Sequence, residues 1–252
     1  MLHFLLNKKE VKALENKIEC IGDKIKICVS ESHTFGTDAI LLFDFSKVRK
    51  NDSVIDLGTG CGIMAVLSCF KTENEVFAVD IQESAAELAK ESARLSEIQN
   101  RMTVLNEDLK ALGADLNGKF SLCLCNPPYY KVDGGYVCKN EKEAIARQEI
   151  CADIYSVAKS ASKLLKFGGR LCVCHKPERL CDLVDAFRQN KIEPKRIKFV
   201  CSGENKAPWL VLMEGKKGGN AGCVVEENLI VKAGQETTDS YILYKGAQKN
   251  ER

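Results

Sequence analysis

The chain lacks the marks of exported, membrane-bound and modular proteins. Its N-terminal apolar run, Leu2 to Leu6, spans five residues before Lys8, Lys9 and Glu10. That is too short for the apolar core of a signal peptide, and no stretch approaches the roughly 20 apolar residues of a membrane span. Five prolines and one tryptophan leave no Pro/Ser-rich linker, and there is no internal repeat or low-complexity block. The net charge of +2 is too small to name a partner. Cysteine is abundant, with 13 residues, but no two have the Cys-x-x-Cys spacing of a zinc knuckle. Without a secretory signal, these cysteines argue against a disulfide framework. They fit a reducing cytoplasm, where cysteine serves as a small apolar residue.

At 252 residues the chain can bury a full core, as one large domain or one domain with an appendage. Its 45% apolar and 29% charged content are those of a soluble globular protein. The halves differ in charge: residues 1–126 carry 15 Lys/Arg against 19 Asp/Glu, and residues 127–252 carry 22 against 16. A basic second half is compatible with a polyanionic substrate and equally with an ordinary solvated surface.

Strands and helices alternate after the first 30 or so residues. Strands are expected at Ser53–Leu57, Val76–Asp80, Met102–Leu105, Ser121–Cys125 and Arg170–Cys174, with Arg196–Cys201 and Trp209–Met213 as the last two. Helices are expected at Ile63–Phe70, Gln82–Leu95, Glu141–Phe167 (stopped by Gly168 and Gly169) and Pro177–Gln189. This order implies a doubly wound, Rossmann-like α/β fold with a seven-stranded sheet. The segment Ser202–Pro208 is too short for a crossover helix, so the last two strands form an antiparallel hairpin. Ile18–Val29 reads as a hairpin or edge strand, and Glu227–Lys232 and Ser240–Tyr244 as a further pair. The expected division is a strand-like extension at 1–36, a catalytic domain at 37–215 and a C-terminal extension at 216–252.

Val54 to Met64 reads strand, Gly-rich turn, helix. Gly58, Gly60 and Gly62 let backbone approach a ligand at the carboxyl ends of the strands. Alone, such a turn is a weak signal, since any tight strand-to-helix connection can use it. Three acids add to it. Asp80 ends the second strand, where a carboxylate accepts hydrogen bonds from ribose hydroxyls. Asp108, or the backbone beside it, follows the third strand within reach of an adenine amino group. Asp56 ends the first strand and can face an ammonium. Together they describe an adenosine carrying a zwitterionic amino acid. A dinucleotide turn would place its third glycine one residue later, which weakens a nicotinamide oxidoreductase reading.

The series Asp56-Leu57-Gly58-Thr59-Gly60-Cys61-Gly62, Ala78-Val79-Asp80 and Asn126-Pro127-Pro128-Tyr129 resembles class I S-adenosylmethionine-dependent methyltransferases. The Asn-Pro-Pro-Tyr form is shared by enzymes that methylate adenine exocyclic amines and glutamine side chains of release factors. Ser32 to Leu42, with Phe35-Gly36-Thr37-Asp38 inside it, is similar to bacterial tRNA(Val) adenine-N(6) methyltransferases, which act on the adenine 3′ of the anticodon. Ala146-Arg147-Gln148-Glu149 falls where that family has Ala-Arg-x-Glu, with Gln148 in place of the usual His. The resemblance covers roughly residues 18–245 by order of motifs. It implies S-adenosylmethionine as cofactor and a tRNA anticodon loop as partner, in the cytoplasm, with no metal. Thr37 and Asp38 would lie against the methionine moiety and Phe35 against the base. Thr37 is also a good helix N-cap by its position.

The resemblance gives Asn126, Pro127 and Tyr129 a chemical task. An adenine exocyclic amine is a poor nucleophile because its lone pair is delocalised. Two acceptors on its N–H groups, the Asn126 amide oxygen and the Pro127 carbonyl, turn the lone pair outward and take up developing positive charge. The prolines stiffen the turn, and Tyr129 stacks on the base. The bland alternative is a strand-terminating turn whose Asn caps the backbone. Lys131, Lys139, Lys142, Arg147, Lys176 and Arg179 follow strand ends and are candidate phosphate contacts or ordinary surface cations. Cys61 is a candidate reactive thiol, His33 can line the substrate side, and Cys123, Cys125, Cys172 and Cys174 read as buried apolar packing.

Two rival functions stand beside the tRNA reading. A release-factor glutamine methyltransferase explains Asn126 to Tyr129 equally well, but those enzymes carry a helical substrate-binding domain ahead of the catalytic fold. A non-catalytic nucleotide- or RNA-binding module is the third.

Overall fold

The computed structural model describes residues 16–127 and 154–231. Lys17–Ile21 (β1) and Ile25–Val29 (β2) pair antiparallel as a hairpin. There follow Thr37–Ser46 (α1), Val54–Leu57 (β3), Ile63–Cys69 (α2), Val76–Asp80 (β4), Glu83–Leu95 (α3), Met102–Asn106 (β5) and Phe120–Cys125 (β6). Beyond residue 153 come Ile154–Leu164 (α4), Leu165–His175 (β7), Leu180–Gln189 (α5), Ile192–Cys201 (β8) and Pro208–Lys217 (β9). Two-residue strands at Val224–Val225 (β10) and Leu229–Ile230 (β11) close the series.

Strands β5-β4-β3-β6-β7 run parallel, in that spatial order. Strand β9 pairs antiparallel with β7 and with β8, so the last hairpin folds back and puts β8 outermost. This is the expected seven-stranded core with its antiparallel final hairpin. Strands β10 and β11 add to it, both parallel to β8, to make a sheet of nine strands among the described residues.

Side chains alternate faces along a strand, and the core divides accordingly. Val54, Leu122, Leu124, Cys172 and Cys174 meet α1, α2 and α3 on one face. Ile55, Leu57, Cys123, Cys125, Leu171 and Val173 meet α4 and α5 on the other. All four residues of β3 and all six of β6 are buried, as expected for central strands covered on both sides. Helix α1 is buried nearly all round because it packs against α2, β7 and β9.

The β1–β2 hairpin joins the first core through Ile21, Ile27 and Val29. Ser92 of α3 and Ser96, which caps that helix, hold it. Ser96 Oγ accepts from Lys26 N at 2.9 Å and donates to Lys26 O at 3.0 Å, while Ser92 Oγ accepts from Cys28 N at 2.9 Å.

Three expectations change. The helix read as far as Phe167 ends at Leu164, and β7 begins at once with Leu165 opposite Phe120. Gly168 and Gly169 therefore lie inside a strand. Gly168 has φ +78°, and a Cβ on Gly169 would sit 2.9 Å from the Lys166 carbonyl oxygen. The pair absorbs the register shift between Phe120 and Leu122. The cap of α1 is Gly36, with no side-chain hydrogen bond, and Thr37 is already helical. Strand β9 continues through Lys216 and Lys217, past the boundary read at residue 215. The rest of Glu141–Phe167 and the strand read at Ser240–Tyr244 lie outside the described residues. Among the described residues no helix is long and apolar enough to cross a membrane.

Candidate functional site

A cavity of about 430 Å³ opens at the carboxyl ends of β3, β4, β5 and β6. Its floor is the glycine turn. Gly58 and Gly60 have φ of +71° and +56°, with nothing within 4 Å of where a Cβ would stand. Their positive φ excludes most side chains, and the space above them is open to a ligand. Gly62, at φ +87°, serves a different end: a Cβ there would lie 3.0 Å from the Ala89 side chain, so it lets α2 pack on α3.

The turn is fastened from three sides. Gly58 N and Thr59 N donate to Val79 O at 2.8 and 2.9 Å. Gly60 N donates to Asp80 Oδ2 at 2.9 Å, and Gln82 N donates to Asp80 Oδ1 at 3.0 Å. Ser92 Oγ donates to Cys61 O at 2.9 Å. Because Ser92 also accepts from Cys28 of the hairpin, β2, α3 and the glycine turn share one hydrogen-bonded serine. That link spans 64 residues on one side and 31 on the other, and no sequence spacing announces it.

Asp80 is buried and lines the cavity while it holds the turn. Each of its oxygens keeps a lone pair for a hydroxyl donor. Asp108 lines the same cavity, its Oδ1 accepting from Lys110 N at 2.9 Å. Asp38 lines it from α1, with Oδ1 accepting from Ala39 N at 2.9 Å, and Phe35 lines it while packing on the first core. Asn126 and Pro127 line it at the end of β6.

Three of the cofactor candidates read from the sequence fall outside the cavity lining: Gly62, which serves the packing of α2 on α3, and Thr37 and Asp56. Thr37 is in the first turn of α1, behind Asp38. Asp56 lies fully buried beneath the turn, where its Oδ2 accepts from Thr59 Oγ1 at 2.7 Å and its Oδ1 has no partner. Burial raises its pKa to about 7, with the Asp80 charge adding to the rise and the Thr59 bond opposing it. In this geometry Asp56 is a support of the turn. Cys61 lines the cavity but is only 1% exposed, and burial lifts its thiol pKa to about 12, which disfavours the thiolate that reagents attack.

The cavity has walls that motif reading passed over. Ile63, Met64, Ile81, Glu107 and Leu109 line it, beside His33, which is expected on the substrate side from the sequence. Ile81 remains 46% exposed directly after Asp80, an apolar surface beside the acid. The rule that ligands sit past strand ends could have nominated Ile81 and Glu107.

The cysteine pairs divide by face. Cys123 and Cys125 pack in the apolar core with α4 and α5. Cys172 and Cys174 face the other way, and each is directed at an oxygen: Cys172 Sγ lies 3.6 Å from Glu214 Oε2, and Cys174 Sγ lies 3.0 Å from Asn126 Oδ1. All four are buried in the apolar cores, and the β7 pair in addition approaches side-chain oxygens. His175, buried at the end of β7, has its pKa lowered to about 4 by burial and by Arg179. Arg179 pairs with Asp182, and neither it nor Lys176 lines the cavity. Tyr129, Tyr130, Lys131, Lys139, Lys142, Arg147 and Gln148 lie outside the described residues.

Comparison with known proteins agrees with this geometry. The family model for ribosomal protein L11 methyltransferase (PrmA) matches residues 33–126, from the start of the cavity wall through Asn126. The chain is similar to the tRNA1(Val) (adenine(37)-N6)-methyltransferase of Parabacteroides distasonis, 27% identical over 71% of this chain and 75% of that protein. A protein of the same name from a Flavobacteriaceae bacterium is 26% identical over 82% of this chain and 87% of its own. Among solved structures, a predicted O-methyltransferase of Agrobacterium tumefaciens superposes with a TM-score of 0.63 at 22% identity, covering 84% of this chain and 97% of that one. A geranyl diphosphate methyltransferase in complex with SAM superposes at 0.53 and 15% identity, covering 71% and 84%. The fold is that of the class I methyltransferases.

Proposed function

We propose that the chain is an S-adenosylmethionine-dependent N-methyltransferase that methylates the exocyclic amine of adenine in tRNA, at the adenine 3′ of the anticodon in valine tRNA. One observation carries the reading. The glycine turn, Asp80 and Asp108 open into the same cavity as Asn126 and Pro127, which supports a nucleoside-bearing cofactor and a planar nitrogen acceptor sharing that cavity. The names of the relatives supply the acceptor.

The residues present fit the cofactor. Gly58 and Gly60 leave open space over the backbone, Asp80 offers lone pairs to ribose hydroxyls, and Asp108 with Ile81 forms a polar and an apolar wall for a flat ring. Asp38 of α1 adds a carboxylate to the lining. When bound, S-adenosylmethionine supplies an electrophilic methyl group on a sulfonium.

Asn126 Oδ1 and the Pro127 carbonyl accept the two N–H bonds of the target amine and orient its lone pair toward that methyl group. Their fixed dipoles stabilise the positive charge that develops on nitrogen. The methylated ammonium is acidic enough to lose its proton without a dedicated base. Phe35 walls the base pocket, and Tyr129 stacks on the base. Lys131 and Arg147 contact RNA phosphates. An anticodon loop presents unstacked bases, so entry of one base costs little. We place the enzyme in the cytoplasm, with tRNA.

The test is methyl transfer from labelled S-adenosylmethionine to total tRNA, followed by mapping of the modified nucleotide. Labelled N6-methyladenine beside the anticodon of valine tRNA supports the reading; unlabelled tRNA from protein that binds the cofactor overturns it. A protein acceptor is the second reading, favoured by the match to the ribosomal protein L11 methyltransferase model, with a release-factor glutamine as the acceptor suited to Asn126 and Pro127. Labelling of such a peptide and not of tRNA would reverse the order.

A further inference from the structure

An asparagine at a strand end usually satisfies its side-chain oxygen with a backbone N–H one or two residues on, as in an Asx-turn. Asn126 is followed by Pro127 and Pro128, and neither carries an N–H. The two prolines therefore offer no N–H at either of those positions. The neighbouring strand supplies a donor. In the parallel register Cys125 faces Val173, so the next step puts Asn126 beside Cys174, whose Sγ lies 3.0 Å from Asn126 Oδ1. Cys174 is fully buried and sits on a strand paired on both sides, with β6 and with β9.

We infer that Cys174 is a positioning residue for methyl transfer: its thiol donates to Asn126 Oδ1 and holds the carboxamide with that oxygen available to the target amine. A carbonyl oxygen has two lone pairs. The thiol bond along one of them orients Oδ1, and a substrate N–H needs only one. The inference rests on the reading of Asn126 as the acceptor of the target amine and extends it to a residue that touches neither substrate nor cofactor.

The experiment compares wild type, Cys174→Val, Cys174→Ser, Asn126→Ala and the double variant Asn126→Ala/Cys174→Val. Methyl transfer to tRNA (or to the peptide, if that is the acceptor) is measured, together with S-adenosylhomocysteine binding and thermal melting. Cys174→Val loses about tenfold in kcat, with KM for the acceptor and affinity for S-adenosylhomocysteine within about twofold of wild type. Cys174→Ser, which keeps a donor, recovers most of the loss. In the Asn126→Ala background the valine substitution has no further effect, because the group it orients is gone. If valine lowers the melting temperature, Cys174→Ala replaces it in every arm. Wild-type kcat in the valine or alanine variant, or a full additional loss on top of Asn126→Ala, overturns the inference and leaves the functional reading standing. Wild-type protein inactive on both acceptors overturns the functional reading and this inference with it.

Discussion

The sheet carries buried charge at both ends and treats it oppositely. At the amino ends of β3 and β7, Arg170 pairs with Asp52 at 2.8 Å and Glu214 at 2.9 Å. Arg196 pairs with Glu214 and Glu226, each at 2.9 Å, and Lys198 with Glu226 at 2.9 Å. Spare donors are also placed: Arg170 reaches Ser46 O, Arg196 reaches Phe45 O and lies over the Phe45 ring, and Ser121 Oγ donates to Asp52. Burial alone would raise the pKa of Glu214, but bonds and charge from Arg196 and Arg170 hold it below the ordinary value. At the carboxyl end the buried Asp56 accepts from Thr59 and faces the charge of Asp80, and its pKa is near 7. One end is closed by mutual pairing and fixes the frame. The other keeps open backbone and lone pairs, as a site must before its ligand arrives.

The comparison breaks most visibly at the paired end. Glu214→Ala leaves Arg170 and Arg196 without their shared acceptor, and urea unfolding should show a loss of about 3–5 kcal/mol. A loss under about 1 kcal/mol would mean that the network is not the frame. Next in size, Asn126→Ala at the open end should reduce kcat by about a hundredfold, near 3 kcal/mol of barrier, with little change in melting temperature. Equal losses of activity and stability there would erase the distinction between the two ends.

Two titrations sharpen it further. The native state holds a proton on Asp56 more tightly than the unfolded chain does, so stability falls as pH rises from about 4 to 7. Asp56→Asn removes that slope and should gain on the order of 2 kcal/mol over wild type between pH 5 and pH 8, read from unfolding curves without cofactor. His175 works in the opposite direction. Its pKa is lowered to about 4, so the unfolded chain takes up its proton first as pH falls below about 6.5. Wild type loses stability from there down to about pH 4, and His175→Gln should recover about 1 kcal/mol at pH 5. Parallel pH profiles for wild type and His175→Gln would show that the ring is not held neutral by its burial.

Much of the carboxyl end was legible because local rules govern it. Gly58 and Gly60 declare a turn, Asp80 and Asp108 end or follow strands, and Asn126 ends an apolar run, so each reached the cavity edge or floor by counting strand ends. The paired end announced nothing. Asp52, Arg170 and Glu214 are separated by 118 and 44 residues, and in the sequence each reads as one more surface charge. Gly168 and Gly169 were misread as a helix stop because the same dipeptide ends a helix or bends a strand, and only the pairing with Phe120 selects the bend.

The sequence by itself determined the order of strands and helices, the parallel core with its antiparallel hairpin, and the place where glycine, acid and amide would meet. Periodicity and turn chemistry act within a few residues, so one chain suffices to read them. Only the tertiary structure decided that Asp56 is a support beneath the turn, that Ser92 ties the hairpin to the glycine turn, and that Cys174 stands at Asn126. Those three outcomes depend on which strand lies beside which and on the face each side chain takes. Register sets both, and register is fixed only when the whole sheet assembles.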